Sequence, residues 1–228
     1  MDLWKRITDS RVLSALKRVD RERFVPENVR QFASENRPLP IGFHQTISQP
    51  FIVAFMTQAL SLTGGERVLE IGTGSGFQTA VLAELGVSVF SVERIPELHA
   101  RASHALTLCG YQNMHLLCGD GYQGWASEAP FDAILVTAAP SSLPHALVEQ
   151  LAEGGRLVIP LADRQARSAG EILMRFTKRG GVAESEELLP VRFVPMVHGD
   201  ARANESCETE GSEREQDEDK GAEDREEE

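Results

Sequence analysis

Residues 68–76 read Val68-Leu69-Glu70-Ile71-Gly72-Thr73-Gly74-Ser75-Gly76, and no other segment says as much about the architecture. An apolar run with the length of a buried strand passes into three alternate glycines, and a helical pattern follows over residues 77–85. Glycine permits a tight turn and a close approach of backbone to ligand. A ligand can therefore sit at the carboxyl end of the strand, against the helix N-terminus. Spacing weakens two familiar variants of this turn and removes a third. A G-x-G-x-x-G dinucleotide fingerprint needs glycine where Phe77 stands, and a P-loop needs a Gly-Lys-Ser/Thr run that is absent. A hydrolase elbow around Ser75 needs glycines where Thr73 and Phe77 stand.

The alternation continues downstream. Residues 87–92, 114–118, 131–136 and 156–159 read as strands, and residues 96–109 and about 143–151 as helices. Strands alternating with helices of this length imply right-handed β-α-β crossovers, so the expected class is α/β: a doubly wound, Rossmann-like, mostly parallel sheet. Residues 171–177 and 188–194, joined by Gly180-Gly181, predict an antiparallel hairpin at the C-terminal sheet edge. Upstream, Val12, Leu13, Leu16, Val19 and Phe24 recur at helical spacing between residues 9 and 30, which predicts a helical N-terminal cap. A loop with Pro38, Pro40 and Gly42 follows, then a helix from Pro50 to about Leu62, stopped by Gly64-Gly65.

Charge divides the chain. Residues 200–228 carry 14 acidic against four basic side chains, −10 of the overall −12, which leaves −2 for residues 1–199. One domain is expected over 1–199, with residues 1–62 as cap and substrate loop and residues 63–199 as the cofactor-binding sheet. The tail, poor in aliphatic and aromatic residues, is expected to be disordered, solvated and dispensable. A near-neutral body without a Lys/Arg cluster argues against a nucleic-acid partner. The N-terminus lacks a signal-peptide pattern and no segment has a membrane-spanning apolar run, so a cytoplasmic location off the membrane is expected. Cys109, Cys118 and Cys207 show neither C-x-x-C spacing nor an even count, so neither a disulfide framework nor a zinc site is expected. The six histidines show no metal-binding spacing.

Glu93 ends the second strand 21 positions after Gly72, where a carboxylate can accept both hydroxyls of a ribose. Asp120-Gly121 ends the third strand in the corresponding place, within reach of an adenine edge. Together with the glycine turn they suggest an adenosine ligand without pyrophosphate. Glu70 and Gly76 complete the candidate cofactor set, although Glu70 and Asp120 also suit ordinary polar strand ends. Tyr122 and Trp125 suit either the border of an adenine pocket or packing between strand and helix.

At this point the sequence resembles the protein-L-isoaspartate O-methyltransferases, from about residue 12 to residue 197. The resemblance rests on Arg23-Phe24-Val25-Pro26-Glu27, Pro38-Leu39-Pro40-Ile41-Gly42, Gln45-Thr46-Ile47-Ser48-Gln49-Pro50, residues 68–76, Val92-Glu93-Arg94, Gly119-Asp120-Gly121-Tyr122 and residues 131–139. It implies an S-adenosyl-L-methionine-dependent methyltransferase fold and methyl esterification of the free α-carboxylate of L-isoaspartyl residues in aged peptides and proteins, which initiates repair to L-aspartyl. It also implies Ser48 as the active-site serine and Thr46, Ile47 and Ser48 as the substrate wall. Gly72, Gly74, Glu93, Asp120 and Gly121 match the cofactor contacts. A monomer is the expected state.

Three residues depart from the family pattern: His44 in place of a usual glycine, Glu171 in place of glutamine, and Val197 in place of threonine. The last puts in doubt any cofactor contact from the final segment. Ser48 also suits a helix cap before Pro50. Two other functions remain open at this stage: a carboxyl methyltransferase acting on aspartate of a dedicated peptide partner, and an inactive cofactor-binding module.

Overall fold

The computed structural model describes residues 2–112, 114–162 and 170–199. The expected acidic tail, 200–228, lies outside them. The N-terminal cap is one short helix, α1 (Ser10–Arg18), capped by the Asp9 side chain and followed by 3-10 turns at Arg21–Phe24 and Glu27–Phe32. Asp20 caps the first of these turns, so the expected helical cap is built as an α-helix and separate 3-10 turns divided by a local hydrogen bond. A two-stranded hairpin, β1 (Leu39–Gly42) and β2 (Gln45–Ile47), leads into α2 (Pro50–Ala59).

The main sheet then forms: β3 (Arg67–Ile71), α3 (Phe77–Ala83), β4 (Ser88–Glu93), α4 (Pro96–Leu108), β5 (Met114–Cys118), β6 (Phe131–Val136), α5 (His145–Glu149), β7 (Leu151–Ala162), β8 (Glu171–Arg179) and β9 (Val182–Val191). Its order is β5-β4-β3-β6-β7-β8-β9; β3 to β7 run parallel, and β8 and β9 add an antiparallel hairpin at the edge. The order reverses at β3, whose neighbours are β4 and β6. The crevice of a doubly wound sheet opens at that switch point.

Side-chain alternation explains why the strands read as continuous apolar runs. Val68, Val89, Leu135 and Val158 enter a core shared with α1 and α2, while Leu69, Phe90, Ile134 and Leu157 enter the core on the opposite face. Both faces are covered, as a parallel sheet requires. A third cluster joins the N-terminal cap and the β1–β2 hairpin to α3 and α4 through Val19, Phe24, Ile41, Ile47, Phe77 and Leu106. That cluster hangs the hairpin over the switch point. Cys118 is disulfide-bonded, which the odd cysteine count did not predict, and Cys109 is a free thiol.

Candidate active site

The glycine turn leaves β3 at the centre of the sheet. Gly72, Gly74 and Gly76 have φ values of 94, 57 and 87°, in the left-handed region where a side chain is strained. The turn is pinned by Gly72 N–H donating to Val92 O at 2.8 Å and by Gly76 N–H donating to Thr73 O at 2.8 Å.

Above the carboxyl ends of β3, β4 and β6 lies a cavity whose empty volume, mouth included, is about 830 Å³. Its walls include Gly72 and Gly74 from the turn, Glu93 from β4, Gly121 after β5, and Thr46, Ile47 and Ser48 from β2 and the residue after it. Glu93 is 5% exposed, and its two oxygens accept from Gly74 N–H (2.8 Å) and Ile95 N–H (3.0 Å). A carboxylate oxygen has more than one lone pair, so this anchored side chain can still accept hydroxyl donors. At Gly121 a Cβ would meet Ile71 Cγ2 at 2.5 Å and Met196 Cε at 3.2 Å, so only glycine keeps this wall flat.

Three residues of the expected cofactor set do not line the cavity. Gly76 faces away: a Cβ there would meet Leu106 at 3.1 Å and Ala102 at 3.5 Å, which makes it a contact between the turn and α4. Asp120 caps the next 3-10 turn through Tyr122 N–H (2.9 Å) and meets His198 Nδ1 at 3.0 Å, so its backbone neighbour Gly121 supplies the wall. Tyr122 stacks on His198, and Tyr122 and Trp125 both pack against the core beneath β6 and β7.

Glu70 is fully buried behind the turn. Its Oε2 accepts from Thr79 Oγ1 at 2.6 Å and Ser91 Oγ at 2.7 Å, Oε1 has no hydrogen-bond partner among the described residues, and Ser91 Oγ lies 2.6 Å from Thr73 Oγ1. Burial pushes its carboxyl up to about 7 against those two donors, and the nearby Glu93 charge pushes the same way. For an acid raised in the folded state, the folded chain holds the proton longer than the unfolded chain. Stability falls as pH rises from the ordinary carboxylate range to about 7, then levels. Glu70→Gln imitates the protonated form. Its melting temperature is expected to exceed wild type by several degrees at pH 8 and to converge with it near pH 5; a variant less stable at both values would remove Glu70 as the source.

Ser48 lies where the hairpin delivers the chain to α2. The N-terminus of α2 is capped from elsewhere: Phe51 N–H donates to Asn36 Oδ1 at 2.9 Å, and the residue in the cap position, Gln49, makes no side-chain cap bond. The capping reading of Ser48 is therefore replaced, and its hydroxyl has no hydrogen-bond partner among the described residues. Gly42, Phe43 and His44 have φ values of 96, 52 and 57°. His44 thus occupies a left-handed position that glycine takes freely, at the exposed tip of the hairpin.

One family model matches residues 4–201, that of protein-L-isoaspartate(D-aspartate) O-methyltransferase. The chain belongs to this family. Among curated relatives, a protein-L-isoaspartate O-methyltransferase of Anaeromyxobacter dehalogenans (strain 2CP-C) is 56% identical over 194 residues, covering 84% of this chain and 91% of the relative. One from Gloeobacter violaceus is 52% identical, covering 82% and 89%. A solved protein-L-isoaspartate O-methyltransferase superposes with a TM-score of 0.77 at 27% identity, over 92% of this chain and 67% of that one. A Plasmodium falciparum beta-aspartate methyltransferase in complex with S-adenosyl-L-homocysteine superposes with a TM-score of 0.74 at 27% identity, over 85% and 93%.

Membership in the family directs attention to wall residues that motif reading passed over. Thr137 follows β6 and donates its hydroxyl toward Ile71 O (3.0 Å) and Gly72 O (2.8 Å), bracing the glycine turn from the neighbouring strand. It lies within the 131–139 motif of the resemblance and closes an apolar strand with a polar side chain, signals that assigned it no role. The final segment is a second case: Val194 to Val197 form one side of the cavity, Val197 included. Backbone bonds from Ala139 N–H to Val194 O (2.8 Å) and from Met196 N–H to Ala139 O (2.7 Å) strap it there. Glu171 stays outside the cavity wall, accepting from Phe193 N–H at 3.4 Å. At Gly72, a Cβ would clash with Thr137 Oγ1, itself held by two carbonyls. Gly72→Ala is therefore expected to weaken S-adenosyl-L-homocysteine binding about tenfold or more by calorimetry, and unchanged affinity would refute this bracing.

Proposed function

We propose that the protein catalyses S-adenosyl-L-methionine-dependent methyl esterification of the free α-carboxylate of L-isoaspartyl residues in aged peptides and proteins, the step that initiates their repair to L-aspartyl. One observation supports this most: the Thr46–Ser48 segment and the glycine turn with Glu93 wall a single cavity. When bound, S-adenosyl-L-methionine supplies a sulfonium methyl, and its transfer to a carboxylate oxygen yields the methyl ester and S-adenosyl-L-homocysteine.

The residues of this chain fit that ligand. Glu93 would hold the ribose hydroxyls, Gly72 and Gly74 would let the amino-acid end approach the backbone, and Gly121 would leave room for the flat adenine. Glu70 acts from behind the turn, holding Thr79 and Ser91, and through Ser91 the Thr73 hydroxyl.

A carboxylate with pKa near about 4 is already ionised at neutral pH, so no general base is required. Orientation remains, a contribution worth up to about 7–11 kcal/mol in well-aligned systems. Ser48 supplies a hydroxyl free to donate to the carboxylate, while Thr46 and Ile47 bound its position. Neutral donors suit this task, because the carboxylate loses charge as the ester forms and a cation there would hold the ground state more firmly than the transition state. Among the described residues no group of three or more His, Cys, Asp or Glu side chains is placed to hold a metal. No described helix is long and apolar enough to cross a membrane, and action in the cytoplasm as a monomer belongs to the same proposal.

A matched peptide pair tests the function. With labelled S-adenosyl-L-methionine, a peptide carrying isoaspartate is expected to be labelled and its normal-aspartate twin to remain blank. Equal labelling would support a carboxyl methyltransferase of aspartate instead, and tight cofactor binding without labelling would support an inactive binding module.

A further inference from the structure

The methyl-transfer cavity accommodates the reacting residue, but a polypeptide substrate must continue across the surface beside it. A second groove begins at the same two residues that rim the cavity, Gly74 and Ser75, and runs between the 3-10 turns of the N-terminal cap and α4. Its floor is apolar, with the buried side chains of Phe24 and Val25 beside Pro26 and Ala105. Its rim is basic: Arg23, Arg30, Arg101 and His104 stand against one acid, Glu27.

The three arginines have little local compensation. Arg30 has no ion pair among the described residues, and Arg23 reaches only Asp20, at 3.6 Å with both side chains more than half exposed. Arg101 spends one nitrogen on Ile41 O at 2.8 Å, which holds the guanidinium beside the hairpin that carries Thr46. A body with a net charge of only −2 thus concentrates fixed positive charge on one flank of its reaction cavity. The function proposed above uses none of it.

Resting on that proposed function, we infer that this groove receives the polypeptide flanking the methyl-accepting residue and favours acidic side chains there. An apolar floor with a basic rim suits an extended segment whose backbone lies along the floor while carboxylates reach the arginines. Such rim contacts act through encounter and KM more than through the chemical step, and they weaken with salt.

The test uses the full chain and three isoaspartyl peptides identical except for two flanking positions on one side, occupied by Glu, Gln or Lys; a second set varies the other side. At low ionic strength, one set is expected to show KM falling from Lys through Gln to Glu. The span from Gln to Glu should be about five- to tenfold, with kcat little changed, as for two partly exposed ion pairs. High salt should bring the three peptides close to parity. Charge reversal at two exposed positions, Arg23→Glu with Arg30→Glu, should erase or invert the order, with folding checked by melting temperature.

Labelling that is indifferent to the flank in both sets, or an order unchanged by the double variant, overturns the groove alone. The proposed function would then stand, and the acidic segment 200–228 would become the candidate occupant. Absence of labelling on every isoaspartyl peptide overturns both.

Discussion

Arg21→Met is expected to lower the free energy of unfolding by about 3–5 kcal/mol and to abolish most turnover. Arg21 is 6% exposed and forms no ion pair among the described residues; its guanidinium donates to four backbone carbonyls, those of Ala33 (2.8 Å), Glu35 (3.3 Å), Arg37 (3.0 Å) and Ser48 (2.9 Å). Its carbon plane also lies 5.8 Å from the centroid of Phe77, which lines the cavity. Burial pulls its pKa down to about 10, with the Arg37 charge adding to the effect, so it remains a cation at neutral pH. One side chain therefore gathers a 3-10 turn, an irregular loop and the active-site strand exit around a single fork of donors. Methionine matches the length but leaves those carbonyls without partners, and each buried unsatisfied group costs about 1–3 kcal/mol. Denaturant unfolding of the two proteins measures the difference. A loss under about 1 kcal/mol would show that water replaces the guanidinium. Arg21→Lys should fall between, since an ammonium cannot reach the whole set with planar geometry.

Ser48→Ala is expected to reduce kcat on an isoaspartyl peptide roughly 10- to 100-fold, through lost alignment of the carboxylate oxygen with the methyl group. The affinity for S-adenosyl-L-homocysteine should change less than about twofold, and the melting temperature hardly at all. This separation follows from geometry: α2 is capped by Asn36, so removing the Ser48 hydroxyl takes nothing from the fold. Turnover equal to wild type would refute the assignment. A parallel loss of stability would show that the hydroxyl has a structural task instead. The contrast with Arg21 is informative, since both act at the same short segment, one through the backbone and one through the side chain.

Much of this was legible in the chain, for identifiable reasons. The strand cores 67–71 and 131–136 stand out because central parallel strands are buried on both faces and read as near-continuous apolar runs, and 114–118, at the sheet edge, is legible from its mainly apolar composition. Strand ends were less legible. β7 runs over Leu151–Ala162, well beyond the apolar 156–159: Leu151 pairs with Phe131 ahead of a register shift that skips 152–155, and the pairing with β8 continues to Ala162. The helical cap between residues 9 and 30 was legible, but not its division into α1 and 3-10 turns, because apolar spacing does not register Asp20 capping a new turn.

Within the site, spacing identified Gly72, Gly74, Glu93 and Gly121 because a βα turn and the adjacent strand end are local features with fixed offsets. The Gln45–Pro50 segment became visible through family resemblance, not through periodicity. Tertiary placement decided the rest. Glu70 and Asp120 are both acids near strand ends, yet one is enclosed behind the turn and the other is engaged by Tyr122 and His198. Thr137, the 194–197 strap and Arg21 lie 65, 122 and 51 positions from Gly72, and nothing local marks them as its neighbours. By itself the sequence determined the class of sheet, the glycine turn that walls the cavity and the near-neutral body with its acidic end, since each follows from composition or short-range periodicity. Only the tertiary structure decided which polar groups face the cavity, because that depends on which buried donors and acceptors distant segments bring to satisfy one another.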